Sequence, residues 1–378
     1  MILRSYLQIE YLRTFLLSVA SFIAILMTTR LEDIARFAAF GASGLKVVEL
    51  IIYQIPYVLP IVIPISAIIA SLTVSQRLST SGELIALRAS GLSLAQIFSP
   101  VLILAFFLSL TNFLITSELA TESAAQSRSI QKQVAMINPL AVIHNKQLIK
   151  NSNLFIETAS RNIARSSLED VTIAFWNEKL NRMSLFLIRE MLFEAPFLEA
   201  KQMTAISSFS PNQRKTFDNL YLENIQKSRM DIEGFSLYLD QKARKVNHDY
   251  LKMALLLTRM SEMKKELEGL PEEAKERHEI QKQYREALSE IFRRLSLGAV
   301  VFAFTLMGLS FGCTVGRNSS QYGILAIISL ACLYLILFFT GKSLAYNPFL
   351  SVLLYFAPIF IIVYLSLRHL SRLSGGLE

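Results

Sequence analysis

Charged residues, cysteine and histidine are all scarce in this sequence. Asp, Glu, Lys and Arg make up 18% of the 378 residues, whereas a soluble domain carries about 25%. The two cysteines, Cys313 and Cys332, both lie in apolar runs, so neither a disulfide framework nor a metal site is indicated. The four histidines are scattered without an HExxH spacing, and no CxxC pair or Ser, His and Asp grouping indicates an enzyme.

The charged residues that are present are concentrated in the middle of the chain. Residues 118–294 carry 27 of the 38 Lys and Arg and 24 of the 30 Asp and Glu. This distribution predicts two apolar membrane blocks, 1–117 and 295–378, on either side of a water-soluble insert, 118–294. The insert mixes both signs of charge, so the net charge of +8 does not indicate a nucleic-acid partner.

Six uncharged runs are candidates to cross a bilayer, which takes about 20 apolar residues in a helix. They are Thr14–Thr29 (extended by Tyr11 and Leu12), Leu50–Gln76, Ala89–Ser117, Leu295–Val315, Tyr322–Thr340 and Phe349–Leu367. No small-residue cleavage site follows the first run before Arg30, so we expect an uncleaved span. Six spans place both termini on one side, and the distribution of basic residues favours cytoplasmic termini and a periplasmic insert.

Within the insert, short runs alternate apolar and polar residues as antiparallel strands do. Examples are Leu154–Thr158, Val171–Trp176, Met183–Ile188, Leu220–Ile225 and Phe235–Leu239, with Asn177–Asn181 as a hairpin loop. These runs predict an antiparallel sandwich or open roll. Two polar helices then cover about 253–294, with a break at Gly269–Pro271. Their charged surface is typical of a solvated face, although coiled-coil contact with a partner remains an alternative.

Prolines and glycines recur at fixed spacing in two of the spans. Pro56, Pro60 and Pro64 lie along one stripe of span two, which is consistent either with a compliant helix in a transporter or with ordinary proline tolerance. Gly308, Gly312 and Gly316 form two overlapping GxxxG spacings, which predict close packing against another helix that the sequence does not identify. Gly341–Lys342–Ser343 resembles the end of a phosphate-binding loop. The glycine that this pattern requires is replaced by Ile336, so any ATP use belongs to another polypeptide.

The connection between spans two and three is short and carries charge of both signs. We expect a short helix at about 81–91, capped at its start by Ser81 and ended by Gly91. Leu84, Leu87 and Arg88 would share one side of it, with Glu83 in the polar first turn. Such a helix is either a docking element for a cytoplasmic partner or a plain interfacial connector.

The twelve residues Gly82–Ser93, Gly-Glu-Leu-Ile-Ala-Leu-Arg-Ala-Ser-Gly-Leu-Ser, resemble the signature of the lipopolysaccharide-export permeases, the LptF/LptG family. The similarity extends to the Arg4–Tyr6 entry, the Pro-rich second span, the large insert and the Arg293–Ser296 entry to span four. The resemblance implies an α+β membrane protein of the bacterial inner membrane, with six transmembrane helices in a 3+3 arrangement. A periplasmic β-jellyroll-like domain would be inserted between the two halves.

The resemblance also implies partners and site residues. The coupling helix, with Glu83, Leu84, Leu87, Arg88 and Gly91, would sit in a groove of a cytoplasmic ABC ATPase dimer that binds ATP and magnesium. Glu83 would pair with a basic residue of that ATPase, and Arg88 would support the contact. Further partners would be a paralogous permease subunit, a periplasmic jellyroll bridge protein and lipopolysaccharide itself.

Two sets of residues are candidates to contact the lipid. By resemblance, Arg30 stands near lipid phosphates, and Arg36 and Lys46 are weaker versions of the same idea. A guanidinium can bind phosphate through two hydrogen bonds, but Arg30 is equally explained as an interfacial anchor, and Asp33 can partly neutralise it. Phe155, Phe175, Trp176 and Phe186 are expected to line the domain interior for acyl chains or to form plain core.

Other functions are weighed against an exporter subunit. A membrane-anchored periplasmic binding or scaffold protein is one alternative, and an ABC mechanotransmitter that carries no lipid is another. The mechanotransmitter is disfavoured because such proteins usually have four spans. An intramembrane enzyme is disfavoured because the spans lack paired carboxylates or histidines.

Overall fold

The computed structural model describes residues 2–39, 43–137, 148–150, 154–162, 167–177, 182–194, 197–209, 219–231, 248–269, 275–313 and 321–374. Within these ranges six helices are long and apolar enough to cross a membrane, and a six-stranded antiparallel sheet is inserted between the third and the fourth. The predicted α+β membrane class is therefore confirmed. The chain divides into a helical unit (Met1–Glu32, Glu49–Ser127 and Asn247–Glu378) and a second unit (Asp33–Val48 and Arg128–Val246) that contains the sheet.

The helical segments extend beyond the ends of the apolar runs that predict the six spans, except at the start of the third, where the helix begins at Leu94, and at the end of the fourth, where it ends at Gly312. They are α1 (Ile2–Ala39), α2 (Gly44–Thr80), α3 (Glu83–Ala89), α4 (Leu94–Leu114), α5 (Ala120–Ile137), α6 (Met253–Gly269), α7 (Lys275–Gly312), α8 (Gln321–Ser343) and α9 (Pro348–Ser374). A single π-helical turn, Ile115–Leu119, joins α4 to α5. The second polar helix and span four form one helix, α7, because no Gly or Pro interrupts the chain between Lys275 and Leu297.

The glycines of α7 pack against α2. A Cβ atom on Gly308 would lie 1.9 Å from Ser71 Oγ and 2.9 Å from the Ile68 carbonyl oxygen. A Cβ atom on Gly312 would lie 3.0 Å from Ser75 Cβ, and Ser75 Oγ donates a hydrogen bond of 2.9 Å to the Leu309 carbonyl. The predicted close packing is confirmed for these two glycines and α2 is the partner helix, while Gly316 lies outside the described residues.

The prolines do not interrupt α2, which runs from Gly44 to Thr80. Pro64 has no N–H, so the carbonyl of Pro60 loses its helical partner. Asn112 of α4 is fully buried, and its Nδ2 lies 3.5 Å from the Pro60 oxygen and 2.6 Å from the Leu297 oxygen. One amide therefore links α2, α4 and α7 inside the membrane, a contact that the sequence alone did not reveal.

The strands of the sheet follow one another in chain order. They are β1 (Leu148–Lys150), β2 (Leu154–Asn162), β3 (Ser167–Asn177), β4 (Arg182–Glu194), β5 (Phe197–Phe209) and β6 (Asn219–Asp231). Asn177 pairs with Arg182, which confirms the predicted hairpin, whose loop residues 178–181 lie outside the described ranges. The predicted run Phe235–Leu239 also lies outside them. β5 was not among the predicted runs, because Glu, Lys and Ala favour strands weakly; its pairing with β4 and β6 decides its structure.

The inward side chains of the sheet shift by one residue along a line that crosses the strands. Ile173 and Val171 of β3 are buried two residues apart, but the next buried residue is Leu168, three residues away. The same spacing of three separates Ile188 from Met191 in β4. At this line, Asp170 and Gln202 have positive φ angles of 52° and 49°, which reverse the alternation of side chains in β3 and β5.

Two neighbouring rows of residues cross the strands at this line, between the buried residues on either side of it. Both rows are polar, and together they line one open depression on the sheet. The first row is Asp170, Arg189, Gln202 and Gln226, and the second includes Glu169, Glu190 and Lys201. Arg189 donates to the Gln202 side chain at 3.3 Å, and Lys201 pairs with Glu190 at 3.6 Å. In each of these strands two consecutive residues face solvent at this line. The buried apolar face therefore continues on both sides of it.

Replacing Gln202 with glycine is expected to stabilise the sheet. A left-handed conformation costs a residue with a Cβ atom about 1–2 kcal/mol, and glycine avoids this cost. Glycine also makes the unfolded chain more flexible, which lowers the stability of the sheet by about 0.5–1 kcal/mol, so a small net gain remains. Gln226→Gly is the matched control, since Gln226 lies in the same row without a positive φ, and it should destabilise the sheet. Thermal unfolding of the full chain can be followed by fluorescence, because the single tryptophan, Trp176, lies in β3. Equal shifts in the two variants would contradict the assignment of strain to Gln202.

Candidate functional site

The short connection between α2 and α4 folds as a seven-residue helix with glycine at both ends. Gly82, with a φ of 72°, precedes Glu83, and Gly91, with a φ of 84°, follows the last turn of α3. The Gly91 N–H donates to the Arg88 carbonyl and the Leu92 N–H to the Leu87 carbonyl, which is the Schellman pattern of a helix end. The expected stop at Gly91 is confirmed.

The expected cap by Ser81 is wrong. No side chain caps the start of α3, and Ser81 Oγ donates instead to the Leu78 carbonyl at 3.5 Å. The left-handed Gly82 lies between Ser81 and the helix, so the serine belongs to the end of α2 and its hydroxyl turns back onto that helix.

One side of α3 is built into the core of the helical unit. Leu84 is 1% exposed and belongs to a buried cluster with Leu78 of α2 and Ile97 of α4. Leu87 is partly buried against the same cluster. Arg88 donates a hydrogen bond of 3.3 Å to the Ser374 carbonyl at the end of α9. The structure therefore brings Leu84, Leu87 and Arg88 together on the side of α3 that contacts the other helices.

The other side of α3 is open to solvent. Ile85 is 58% exposed, and Ala86 and Ala89 beside it are also exposed. Glu83 lies in the first turn and is partly exposed. The sequence analysis did not identify Ile85 as an exposed apolar residue. The available signal was its position between Leu84 and Leu87, which were expected to share the other side of the helix. α3 thus has an anchored apolar side and an accessible side edged by a carboxylate.

α1 is held at the end where the chain begins. Glu10 forms an ion pair with Arg77 in the last turn of α2, and Gln8 donates to the Pro100 carbonyl of α4 at 3.2 Å. Tyr11 hydrogen-bonds Thr305 of α7 at 3.1 Å. Further along, Ile25 is largely exposed. α1 therefore has a fixed end near α3 and a more weakly packed opposite half.

A cavity of about 350 Å³ lies near that opposite half, between α1, α2, α5, α7 and α8. Arg30, Arg293 and Lys342 contribute to its lining together with Asp249. The Arg30 guanidinium lies 5.9 Å from the ring centre of Tyr57. The structure thus places Arg30 with two cations that the sequence did not connect to it, because they are more than 250 residues further along the chain.

The other candidate cations are placed differently. Lys46 lies in the first turn of α2 and is partly buried, outside the residues that line the cavity. The side chain of Arg36 lies outside the description, although its backbone belongs to α1. Of the two predicted phosphate contacts whose side chains are described, Arg30 lines the cavity.

A buried ionic cluster borders the cavity. Glu290 accepts two hydrogen bonds of 2.6 Å from Arg293 and one of 2.8 Å from Arg294. Arg294 is fully buried and also donates to the carbonyls of His248 and Leu251, at 3.2 Å and 2.9 Å. Arg294 therefore fixes the segment through which the chain re-enters the helical unit.

That segment has further ionic contacts. Lys252 pairs with Glu122 of α5 at 3.0 Å, and Asp249 pairs with Lys342 of α8 at 3.2 Å. Burial lowers the pKa of His248 below its ordinary value, so the ring is neutral at pH 7 and adds no charge here. Residues 248–252 thus connect α5, α7 and α8.

The aromatic candidates in the sheet do not share one face. Phe175 and Phe186 pack against the buried cluster of Ile156 and Val171. Phe155 is adjacent to the buried Ile156, so alternation places it on the opposite face. The side chain of Trp176 lies outside the description.

An ionic group marks the end of the sheet. Glu199 on β5 pairs with Lys227 at 2.7 Å and Arg229 at 3.3 Å. The hydrogen bond from Lys227 is the main cause that holds the pKa of Glu199 below its usual value. This carboxylate therefore stays ionised and favours the pairing of β5 with β6 at neutral pH.

One comparison with known proteins agrees with this architecture. A family model described as lipopolysaccharide export system permease LptF/LptG matches residues 5–372, which is nearly the whole chain. A comparison with curated proteins gives no match. The match covers all six spans, α3 and the inserted sheet. The chain therefore belongs to the LptF/LptG family of lipopolysaccharide export permeases.

Proposed function

We propose that the chain is one permease subunit of an ATP-driven ABC-type exporter in the bacterial inner membrane. The exporter extracts lipopolysaccharide and passes it to a periplasmic jellyroll bridge protein towards the outer membrane. The family match supports lipopolysaccharide as the cargo. The partners are a paralogous permease subunit and a cytoplasmic ATPase dimer. This chain binds no cofactor, because ATP and magnesium belong to the ATPase.

The two-sided structure of α3 is the observation that supports this proposal most directly. Its exposed side, with Ile85 and Glu83, is available to a cytoplasmic protein. Its other side, with Leu84, lies in a cluster shared by α1, α2, α4 and α7. A push on the exposed side therefore moves several membrane helices together, because tightly packed cores transmit displacement.

The charge distribution supports the orientation. Six spans put both termini on the same side as α3, where Arg77 lies in the last turn of α2 and Arg88 in the last turn of α3. Basic residues are retained on the cytoplasmic side. Cytoplasmic termini then place the large inserted domain in the periplasm.

The cavity is the proposed entry point for the lipid headgroup. Arg30 and Lys342 bind phosphate there, while acyl chains follow the exposed apolar surfaces of α1 and α8. Removal of a lipid from the bilayer costs about 0.8 kcal/mol per CH₂ group, so extraction of several chains needs both ATP and an apolar acceptor. The apolar face of the sheet, with Phe175 and Phe186, is that acceptor.

The decisive experiment replaces Glu83 with alanine in the reconstituted complex. Loss of a hydrogen bond to a charged group costs about 1.5–3 kcal/mol, so ATPase association should weaken at least tenfold and ATP-dependent lipid release should fall with it. Glu262→Ala is the matched control, since Glu262 is exposed on α6 and should leave both measurements unchanged. Unchanged association and release in Glu83→Ala would refute the coupling role. Absence of lipid crosslinks to α1 and α8 would instead favour a mechanotransmitter.

A further inference from the structure

A carboxylate stands among the cations of the cavity. Asp249 Oδ2 lies 3.2 Å from Lys342 Nζ, and the two side chains are 30% and 47% exposed. Arg293 and Arg30 line the same cavity as this pair. An anion is therefore already present at the place where a phosphate group would meet these cations.

The two carboxylates Glu290 and Asp249 differ greatly in how firmly their basic partners hold them. Glu290 is 5% exposed and binds both Arg293 and Arg294. If Glu290 separated from these arginines, the buried charges of all three side chains would be left without a counter-ion. The pair of Asp249 with Lys342 is partly solvated, and such pairs contribute little net free energy. A phosphate group carries more charge and more acceptor oxygens than one carboxylate. Lys342 is therefore the cation whose counter-ion can be exchanged.

The backbone around Asp249 is held by contacts that do not involve Lys342. Asp249 lies in the 3₁₀ turn His248–Tyr250, whose neighbouring carbonyls at His248 and Leu251 are held by the buried Arg294. Exchange of the Asp249 contact with Lys342 would leave these two hydrogen bonds of Arg294 intact. Loss of the Lys342 contact then removes an ionic link between this turn and α8.

We propose that Asp249 is an internal counter-anion of the cavity, which neutralises Lys342 when no lipid is bound and is displaced by a phosphate group of the incoming lipid. This inference rests on the proposed function, because it concerns the regulation of the same site. Asp249 lowers the affinity for phosphate and speeds release, since its carboxylate returns to Lys342 as the headgroup leaves. Displacement also removes the ionic link between α8 and the turn.

The test compares Asp249→Asn with the wild-type chain in the detergent-purified complex. Asparagine keeps the shape and removes the charge. Equilibrium binding is measured with phosphorylated lipid A and with dephosphorylated lipid A. We expect Asp249→Asn to bind the phosphorylated lipid about two- to fivefold more tightly, as the strength of an exposed ion pair predicts, and the dephosphorylated lipid unchanged. Asp249→Glu retains the carboxylate and should resemble the wild type.

A double-mutant cycle with Lys342 gives the second measurement. In a Lys342→Ala background the effect of Asp249→Asn should shrink, because the cation that the carboxylate competes for is absent. Equal binding of phosphorylated lipid by Asp249→Asn and wild type, or an equal change for both lipids, would overturn the counter-anion role. If the wild type itself does not prefer phosphorylated lipid, the proposed phosphate site fails as well, so the two failures can be told apart.

Discussion

Replacing Gly308 with leucine is expected to prevent the helical unit from packing. A Cβ atom at this position would already overlap Ser71 Oγ at 1.9 Å, and the Ile68 carbonyl oxygen at 2.9 Å belongs to a backbone that cannot rotate away. α2 and α7 would therefore have to separate along their shared surface. Overpacking of this kind costs about 3 kcal/mol or more, which is a large part of a typical stability.

The measurement is the thermal midpoint and the monodisperse yield of the detergent-purified chain. Gly269→Leu is the matched control, because no atom of the described residues lies within 4 Å of the Cβ position at Gly269. In a Ser71→Gly background the milder Gly308→Ala should cost less than in the wild type, since the nearest overlapping side chain is gone. If the two leucine variants were equally stable, α2 would not be the close partner of Gly308.

Replacing Arg294 with methionine is expected to release residues 248–252, the segment through which the chain re-enters the helical unit. The change removes the hydrogen bonds to Glu290 and to the carbonyls of His248 and Leu251. Loss of one partner from a buried ion pair costs about 3–5 kcal/mol. We expect the lower end of this range, because Arg293 still binds Glu290.

Trypsin offers a local measurement of this effect. Lys252 is the last residue of the fixed segment 248–252, so cleavage at Lys252 should become faster in Arg294→Met, together with a lower thermal midpoint. Arg285→Met is the control on the same helix, because Arg285 is exposed. Wild-type cleavage rates in Arg294→Met would show that Arg294 does not hold the segment.

The membrane architecture was predictable because a bilayer imposes a simple length rule on apolar runs. The glycine spacing around Gly308 likewise indicated close packing, since small residues allow helices to approach. The hairpin between β3 and β4 followed from alternation and a polar loop. In each of these cases the pattern that predicts the structure lies within one short stretch of consecutive residues.

The cavity and the buried cluster were not predictable in this way. Lys342 was considered as part of a phosphate loop, and nothing local connects it to Asp249 or Arg30. Asn112 was one polar residue in a long apolar run until the structure showed the carbonyls of Pro60 and Leu297 beside it. The shift of side chains at Asp170 is present in the sequence as a spacing of three between apolar residues, but this spacing has a structural meaning only once the register of β3 and β4 is known.

By itself, the sequence determined the number of spans, the place of the inserted sheet and the position of α3, since these depend on composition and on short-range periodicity. Only the tertiary structure decided that Leu84 faces the core while Ile85 faces solvent, that α2 receives the glycines of α7, and that Arg30, Asp249, Arg293 and Lys342 line one cavity. The physical reason is that ion pairs and helix packing act between residues that are close in space, and these residues come from separate parts of the chain.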